Sequence, residues 1–337
     1  MNPIISICIP AYNRPKELNR LLKSIDSVRH NSIRILICED KSPKRDEIRE
    51  VVNLFKQSTL FDVTYIENET NLGYDNNIKK LVSYSDGDYI LFMGDDDTFV
   101  PNSLDLLSTF LSNNSDLGYV LKSHRFFYEN GNIEEFRYFD GDKFFNKGED
   151  TYISLFRRSV FISGFTIKKE AINDLITDKF DGGLLYQLYL LAETALNYPC
   201  AYFDTPLTQA DENGIPYFGS SEVEKNLYTP GTITIENSIQ FLSGFFDITA
   251  YIDKKYGIES TDKIKHDMSK YFYPSLAIQR DKGIFDFFKY IKKLRGMGFN
   301  SSVYFYIYAI GLTFFGKKIC DYIVLTLKRK IGRTPQL

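Results

Sequence analysis

Short apolar runs alternate with helical patterns over the first hundred residues. Four runs, at residues 4–9, 33–38, 63–66 and 89–93, have the length and hydrophobicity of strands, and the run at 89–93 is typical of a strand that is buried on both faces. Between the runs, apolar residues recur three and four positions apart, as on the buried side of a surface helix. This alternation, with a repeat of roughly thirty residues, predicts right-handed βαβ units, a mostly parallel sheet and an α/β fold.

Polar residues follow these predicted strands. Asp40 and Asn71 come after the second and third strands, and three consecutive carboxylates, Asp95–Asp97, come after the fourth. Because ligands of such sheets bind beyond the carboxyl ends of the strands, we expect these residues to line one crevice. Adjacent carboxylates repel one another unless they point into water or a cation neutralises them. The triplet alone therefore leaves two readings open, a solvated acidic turn and a Mg²⁺ or Mn²⁺ site shared with substrate phosphates.

The pattern is less regular after the triplet. Residues 125–128 and 133–138, joined by Asn130-Gly131, predict a β-hairpin, and residues 159–167 predict another strand. Residues 205–221 are polar and contain several Pro and Gly, which predicts a long loop that serves either as a lid or as a linker.

Helical periodicity replaces the strand signals from about residue 233. We therefore expect a catalytic domain at residues 1–220 and a helical region at residues 221–337.

Composition excludes several classes of protein. A net charge of −3 argues against a general nucleic-acid-binding protein, which would carry a basic excess. The four cysteines show no CxxC spacing, and three histidines are too few for a histidine-rich metal site. The N-terminus lacks the basic segment and the apolar core of a signal peptide, so we expect a cytoplasmic protein.

Several nucleotide and phosphate sites are absent from the sequence. No G-x-G-x-x-G motif follows the first strand and no P-loop lysine motif is present, which argues against dinucleotide oxidoreductases and P-loop NTPases. Haloacid-dehalogenase phosphatases also use paired aspartates, but after their first strand and with Thr or Val two positions later. Here the triplet follows the fourth strand, and Phe99 stands two positions after Asp97.

Four motifs, in order, resemble the nucleotide site of family 2 glycosyltransferases with the GT-A fold. They are Ile7-Cys-Ile-Pro-Ala-Tyr-Asn-Arg14, Cys38-Glu-Asp40, Asn71-Leu-Gly73 and Phe92-Met-Gly-Asp-Asp-Asp97. The resemblance covers roughly the first two hundred residues. It implies a GT-A catalytic domain followed by a C-terminal helical module. It also implies that eight residues contact the nucleotide sugar, namely Pro10, Tyr12, Arg14, Asp40, Asn71, Gly73, Asp95 and Asp96.

The resemblance also implies a metal-dependent reaction. Asp97 matches the final metal-ligating aspartate of the family, Asp95 would be the other ligand of Mn²⁺ or Mg²⁺, and Asp96 would face the sugar or the ribose. The ion would offset the charge of the diphosphate and stabilise the departing nucleoside diphosphate. Gly94 departs from the family, since many members carry another acid there, so the choice of ligands within the triplet stays open.

An inverting transferase needs a carboxylate that takes the proton from the acceptor hydroxyl. Many relatives use an Asp of a Glu-Asp pair before a helix, and this chain has no such pair. Asp181 is the nearest candidate, and Glu193, well inside the helix, is a poorer one. The alternative for Asp181 is a helix N-cap or a turn residue beside Gly182-Gly183.

The C-terminal segment 303–333 combines uncharged aromatic and aliphatic runs with basic clusters, which is typical of a helix at an anionic membrane surface. Its apolar run at residues 303–315 is too short to span a bilayer. The alternative is a pair of helices packed on the catalytic domain, and self-association through the helical region is left open.

The resemblance implies inverting transfer of a hexosyl or deoxyhexosyl unit from a nucleotide sugar to a saccharide acceptor on a lipid carrier. The product would be a bacterial surface polysaccharide such as O-antigen or capsule. One alternative is a nucleotidyltransferase that makes nucleotide sugars, although it would need a Gly-rich, Arg-containing loop where this chain has Ala11-Tyr-Asn-Arg14. Another is a catalytically silent GT-A module that binds a glycan or a partner protein.

Overall fold

The computed structural model describes residues 3–128, 130–211, 219, 221–225, 227–229 and 231–331. The strands are β1 (Ile5–Ala11), β2 (Ile33–Glu39), β3 (Asp62–Glu67), β4 (Tyr89–Phe92), β5 (Thr98–Phe99), β6 (Tyr119–Phe127), β7 (Ile133–Phe136), β8 (Lys143–Phe145), β9 (Phe165–Lys168) and β10 (Cys200–Asp211). The helices are α1 (Pro15–Lys23), α2 (Arg45–Ser58), α3 (Tyr74–Tyr84), α4 (Ser103–Asn113), α5 (Glu149–Phe156), α6 (Tyr186–Asn197), α7 (Ile235–Tyr256), α8 (Thr261–Lys270), α9 (Tyr273–Lys282), α10 (Ile284–Gly296) and α11 (Val303–Ile331).

The strands form one mixed sheet in the order β3-β2-β1-β4-β9-β6-β10-β5. Strands β1 to β4 run parallel, as their βαβ pattern predicts, whereas β9 is antiparallel to both β4 and β6. The predicted hairpin is confirmed, since β7 pairs antiparallel with β6 and places Phe136 opposite His124. The result is the α/β architecture with a C-terminal helical region that the sequence predicts.

Helices cover both faces of the sheet. Strand β1 alternates between them: Ile7 joins the core under α1, α2 and α4, whereas Cys8 joins the core under α3, α5 and α6. The second core continues without a break into α7–α11, where Phe245 and Phe287 are fully buried. The domain boundary at residue 220 stays a prediction, because that residue is not among those the structure describes. The described parts on its two sides share one hydrophobic core.

Two expectations from the sequence are wrong in part. Residues 205–211 belong to strand β10, not to a loop, because β10 pairs with β6 on one side and with β5 and β8 on the other. Pro206 fits there because the β10–β6 register shifts on either side of it. The rest of the predicted loop, residues 212–218 and 220, lies outside the described residues. The predicted strand at 159–167 is shorter, since regular pairing begins only at Phe165.

A buried ion pair ties α7 of the helical region to α6. Glu193 of α6 is 3% exposed and accepts bonds from Lys255 Nζ (2.6 and 2.7 Å) and from Tyr256 Oη (2.6 Å), both at the end of α7. Glu193 is therefore buried within the packed helix α6, where its role is structural. A buried carboxylate needs such partners, because each unmade bond would cost free energy of desolvation.

We predict that Glu193→Ala lowers the free energy of unfolding by about 2 kcal/mol. The loss is smaller than for a fully buried pair because the Lys255 side chain is 39% exposed and can reach water once it is unpaired. Urea titration measures the difference. The matched control is Glu149→Gln, which breaks an exposed ion pair with Lys263 and should cost clearly less stability than Glu193→Ala. Equal losses in the two variants would contradict a stabilising role for the buried pair.

Candidate functional site

A cavity of about 820 Å³ opens at the carboxyl ends of β1, β2 and β4. Six of the residues predicted to bind nucleotide sugar line it: Pro10, Tyr12, Arg14, Asp40, Asp95 and Asp96. The parallel strands bring them together because their carboxyl ends meet at one sheet edge. Asn71, Gly73 and Asp97 stand directly behind this lining, in contact with its members.

The turn after β1 binds the aspartate triplet. The Tyr12 backbone N–H donates to Asp95 Oδ2 (3.1 Å). The Arg14 guanidinium donates to Asp95 Oδ1 (3.3 Å) and forms an ion pair with Asp96. Asn13 adopts a positive φ of 61°, which turns the chain back so that both neighbours face the triplet. The motif Ala11-Tyr-Asn-Arg14 therefore supplies the positive charge that the acidic strand end needs.

Asp40 organises the turn at residues 71–73. Its Oδ1 accepts bonds from Asn68 Nδ2 (2.7 Å) and the Leu72 N–H (2.8 Å), and its Oδ2 accepts from Asn71 Nδ2 (3.0 Å) and the Gly73 N–H (2.9 Å). Burial raises the pKa of Asp40 to about 6 although these four bonds favour the carboxylate. The predicted contact residues Asp40, Asn71 and Gly73 thus form one hydrogen-bonded unit beside the cavity.

Within the triplet, the three carboxylates have different environments. Asp95 and Asp97 are buried, and burial is the main reason why the pKa of each is raised to about 7. The Asp96 charge adds to both shifts, whereas Arg14 opposes them. The Asp96 side chain is 31% exposed, which puts the middle carboxylate toward solvent. The three carboxylates at the end of β4 thus face two buried cations, Arg14 and Lys122 of β6, which do not balance the triplet when all three are ionised.

Ser163 holds the far end of the triplet and was missed by the sequence analysis. Its hydroxyl donates to Asp97 Oδ2 and accepts from the Gly94 N–H (3.1 Å). Gly94 is tightly enclosed, since a Cβ there would lie 3.0 Å from Ser163 Oγ and 3.1 Å from Asp96 Oδ1. The departure from an acid at position 94 therefore matches the local packing, because a side chain would push Ser163 away from the aspartates.

Lys122 and His124 of β6 are further residues that the sequence analysis missed. Lys122 is buried near Asp97, and its pKa is lowered to about 7 because burial outweighs the attraction of that carboxylate. His124 lines the cavity, and burial lowers its pKa to about 2, so its imidazole is neutral. The sequence did contain a signal for this pair, namely a lysine and a histidine two residues apart in an apolar strand. Alternate residues of a strand share one face, so the two side chains are expected side by side.

The profile described as "Glycosyl transferase family 2" matches residues 6–174, half of the chain and the part that builds this cavity edge. The chain belongs to glycosyl transferase family 2. This membership confirms the resemblance read from the four motifs.

Two relatives show how far the similarity extends. Abequosyltransferase RfbV of Salmonella typhimurium is 35% identical over 114 residues, which are 34% of either chain. WcaA of Escherichia coli, whose name refers to colanic acid biosynthesis, is 30% identical over 129 residues, 38% of this chain and 43% of WcaA. This chain therefore spans only about a third to two fifths of the length of these relatives.

Solved structures show the same fold at low identity. TarS of S. aureus has a TM-score of 0.56 and 13% identity, over 80% of this chain and 43% of that one. A TarS 1–349 structure in complex with UDP-GlcNAc has a TM-score of 0.52 and 12% identity, over 98% and 93%. At these identities the likeness establishes the GT-A fold and nothing about substrates.

Divalent cations are common in GT-A enzymes, and the chemistry of the triplet fits one. The described residues contain no group of three or more His, Cys, Asp and Glu arranged around a common metal position. Mg²⁺ and Mn²⁺ need fewer protein ligands than that, since they keep waters and share substrate phosphates with one or two carboxylates. Asp95 and Asp97 are two buried carboxylates without full neutralisation, so a cation with diphosphate oxygens suits them.

Asp181 does not line the cavity in the part of the chain described. Its carboxylate pairs with Lys79 of α3 through Oδ1 (2.7 Å) and Oδ2 (2.9 Å). Asp75 anchors the adjoining turn instead, by accepting the N–H groups of Gly182, Leu184 and Tyr186. The general-base role of Asp181 stays a prediction that requires this ion pair to rearrange.

A short segment after β10 covers the nucleotide side of the cavity. Glu224 is buried and accepts from the N–H groups of Tyr74 (2.8 Å) and Gly219 (3.1 Å). A Cβ on Gly73, whose φ is 77°, would lie 2.6 Å from Val223, so only glycine allows this close approach. Ser221, Glu224 and Tyr228 line the cavity, and the choice between a lid and a linker stays a prediction.

We predict that Asp97→Asn gains stability relative to the wild type as the pH rises from about 4 to about 7, in the absence of divalent cations. The raised pKa means that folded Asp97 keeps a proton that the unfolded chain has released, so ionisation costs folding free energy in this window. Asparagine has no such cost. Urea titrations at several pH values measure the difference.

The matched control is Asp262→Asn, because the Asp262 side chain is 97% exposed and lies in α8. This variant should follow the wild type across the same pH range. A stability difference between Asp97→Asn and the wild type that does not change with pH would contradict the assignment of a raised pKa.

Proposed function

We propose that this chain transfers one sugar from a nucleotide-sugar donor to a saccharide acceptor by a single displacement with inversion. The observation that carries the proposal is the convergence of Asp40, Arg14 and the aspartate triplet on one cavity edge in a family 2 glycosyltransferase. Carboxylates that their own counter-ions do not fully balance favour a divalent cation, which can bind them and the diphosphate oxygens of the donor together.

In this proposal the nucleoside lies beside Asp40 and Asn71, and Asp95 and Asp97 hold Mn²⁺ or Mg²⁺. Asp96, as the most exposed carboxylate of the three, faces the ribose or the sugar. Pro10, Tyr12 and Gly73 supply the backbone surface around the nucleotide. When bound, the ion offsets the charge that develops on the departing nucleoside diphosphate.

The acceptor in this proposal is a growing bacterial surface polysaccharide on a lipid carrier. Its support is the relatives, which are named for abequosyl transfer and for colanic acid biosynthesis. The transferred unit would be a hexosyl or deoxyhexosyl group. Asp181 remains our candidate for the base, and release of its carboxylate from Lys79 would have to accompany acceptor binding.

Binding of the nucleoside diphosphate that the donor releases should raise the melting temperature of the protein, because a ligand that binds the folded state stabilises that state by mass action. We expect a shift with one of UDP, GDP, CDP and dTDP, and we expect it to require Mn²⁺ or Mg²⁺. The shift should disappear in Asp97→Asn, which keeps the shape of the side chain but loses its charge.

Lys263→Gln serves as the control, since Lys263 lies in α8 in an exposed ion pair. It should bind the same nucleotide as the wild type. No shift with any of the four nucleotides would exclude the donor site. A shift without turnover of the matching nucleotide sugar would instead favour a silent binding module.

We also propose that the C-terminal helices touch an anionic membrane. Residues 284–337 contain ten Lys and Arg but only two Asp and Glu, although the whole chain has a net charge of −3. Helix α11 breaks at Gly316 (φ 70°) and exposes many large apolar side chains, including Val303, Tyr304, Ile307, Ile310, Phe314, Phe315, Ile319 and Tyr322. Apolar side chains beside clustered cations suit the surface of a bilayer.

The part of the chain described contains no helix that combines the length and the hydrophobicity needed to cross a bilayer. The basic residues at 328–330 and 333 lie outside the side chains that the structure describes. The membrane contact therefore rests on the exposed apolar surface of α11 and on the charge of this segment.

Sedimentation with vesicles tests this contact. We expect binding to vesicles that contain phosphatidylglycerol, weaker binding at high salt, and little binding to pure phosphatidylcholine. Ile307→Glu/Phe314→Glu should weaken binding at least tenfold, because it puts two charges on the apolar face. The control Val28→Glu/Leu60→Glu adds the same charge at exposed apolar positions of the catalytic domain. Dimerisation that the first pair abolishes, without vesicle binding, would show that α11 self-associates instead.

A further inference from the structure

The cavity extends well beyond the residues assigned to the nucleotide. Its lining also includes Ser238 and Phe241 of α7 and Ser275 of α9, all from the helical region. The segment 160–162, which precedes β9, lines the same cavity. A donor held at the aspartates would therefore leave a second compartment, lined both by residues before β9 and by the helical region.

An exposed aromatic ring contributes to this lining. Phe161 lines the cavity and is 36% exposed, whereas Val160 and Ile162 on either side of it are less exposed. It precedes Ser163 by two residues, and Ser163 binds both Asp97 and the Gly94 N–H. The ring is therefore fixed close to the end of the site where the sugar–phosphate bond would lie.

Aromatic stacking holds Phe161 in place. The His124 ring stacks on Phe161 with a centroid distance of 5.5 Å and an interplanar angle of 27°. His124 also stacks on Phe136 of β7 at 5.1 Å and 9°. Lys122 Nζ lies 4.6 Å from the Phe161 centroid. Such contacts hold the ring in one orientation in the free protein. The side chain therefore loses little further entropy when a ligand binds, as expected of a preorganised binding surface.

Several polar groups of this compartment are already bonded within the protein. Gln187 donates to the Val160 carbonyl (3.0 Å) and accepts from Tyr74 Oη (3.2 Å). Asn237 donates to the carbonyls of Thr229 (2.8 Å) and Thr232 (2.6 Å). Recognition in this compartment therefore depends strongly on its apolar surface, to which Phe161 and Phe241 contribute rings.

We propose that this compartment is the acceptor subsite and that the acceptor sugar stacks its C–H face on Phe161, with Phe241 of α7 contributing a second aromatic ring to the same subsite. A pyranose ring presents polarised C–H groups on one face, and these suit the negative face of an aromatic ring. The proposal rests on the proposed function, and it adds that the helical region contributes part of the acceptor site. The ligand class is a saccharide with an unsubstituted apolar ring face.

Saturation-transfer NMR with methyl glycosides tests the subsite without any need for turnover. The probes are methyl glycosides of glucose, galactose, mannose, rhamnose and N-acetylglucosamine, added to the full chain. The experiment includes Mg²⁺ and UDP, GDP, CDP or dTDP in turn. We expect saturation of the ring C–H protons of at least one glycoside. Phe161→Ala and Phe161→Leu should weaken its binding at least tenfold, whereas Phe161→Tyr, which keeps the ring, should stay within about threefold.

Phe241→Ala tests the contribution of the second ring and should weaken binding of the same glycoside at least tenfold. Each variant must keep the melting temperature and the nucleotide affinity of the wild type, which separates loss of the subsite from loss of the fold. The subsite would be overturned if no glycoside bound the wild type, or if Phe161→Ala bound it as tightly. Glycoside binding without any nucleotide binding would leave the subsite intact and contradict the donor proposal alone.

Discussion

The arrangement of this site depends on the electrostatic cost of burying aspartates at the end of β4. Two of the three carboxylates are almost fully removed from water, and burial raises their pKa values toward neutrality. Neighbouring segments respond to that cost: the turn after β1 supplies Arg14, and the segment before β9 supplies Ser163. The compensation is incomplete, and an incompletely neutralised buried site favours a ligand that brings a cation.

The parallel half of the fold follows from the sequence because each element buries a simple pattern. Strands β1, β2 and β4 are covered on both faces, so their residues are predominantly apolar, and the helices between them need only one apolar stripe. The positions of Asp40 and the triplet follow from the same logic, since residues after parallel strands meet at one edge. The contacts between the triplet and Arg14 do not follow from the strand pattern, because the positive φ of Asn13 determines them.

The antiparallel half was harder to predict because tertiary pairing overrides local composition there. Strand β10 contains polar residues and Pro206, yet Thr208 is fully buried between strands on both sides. The same limit applies to the site. Lys122 and His124 lie on β6 and Ser163 precedes β9, all distant from the triplet in sequence, so no local pattern links them to it. Asp181 is a candidate because it precedes a helix in the sequence, whereas its ion-pair partner Lys79 lies on α3, which is distant in sequence.

The helical region contributes to the cavity lining as well as to the core. Its helices pack on α5 and α6 through one continuous apolar cluster, and Glu193 fixes α7 by a buried ion pair. Because α7 is held in this way, Phe241 has a defined position in the cavity lining that it shares with Phe161. Preorganisation of lining residues from different parts of the chain lowers the entropic cost of binding a weakly polar ligand. The same packing that stabilises the protein therefore determines the shape of the compartment next to the aspartates.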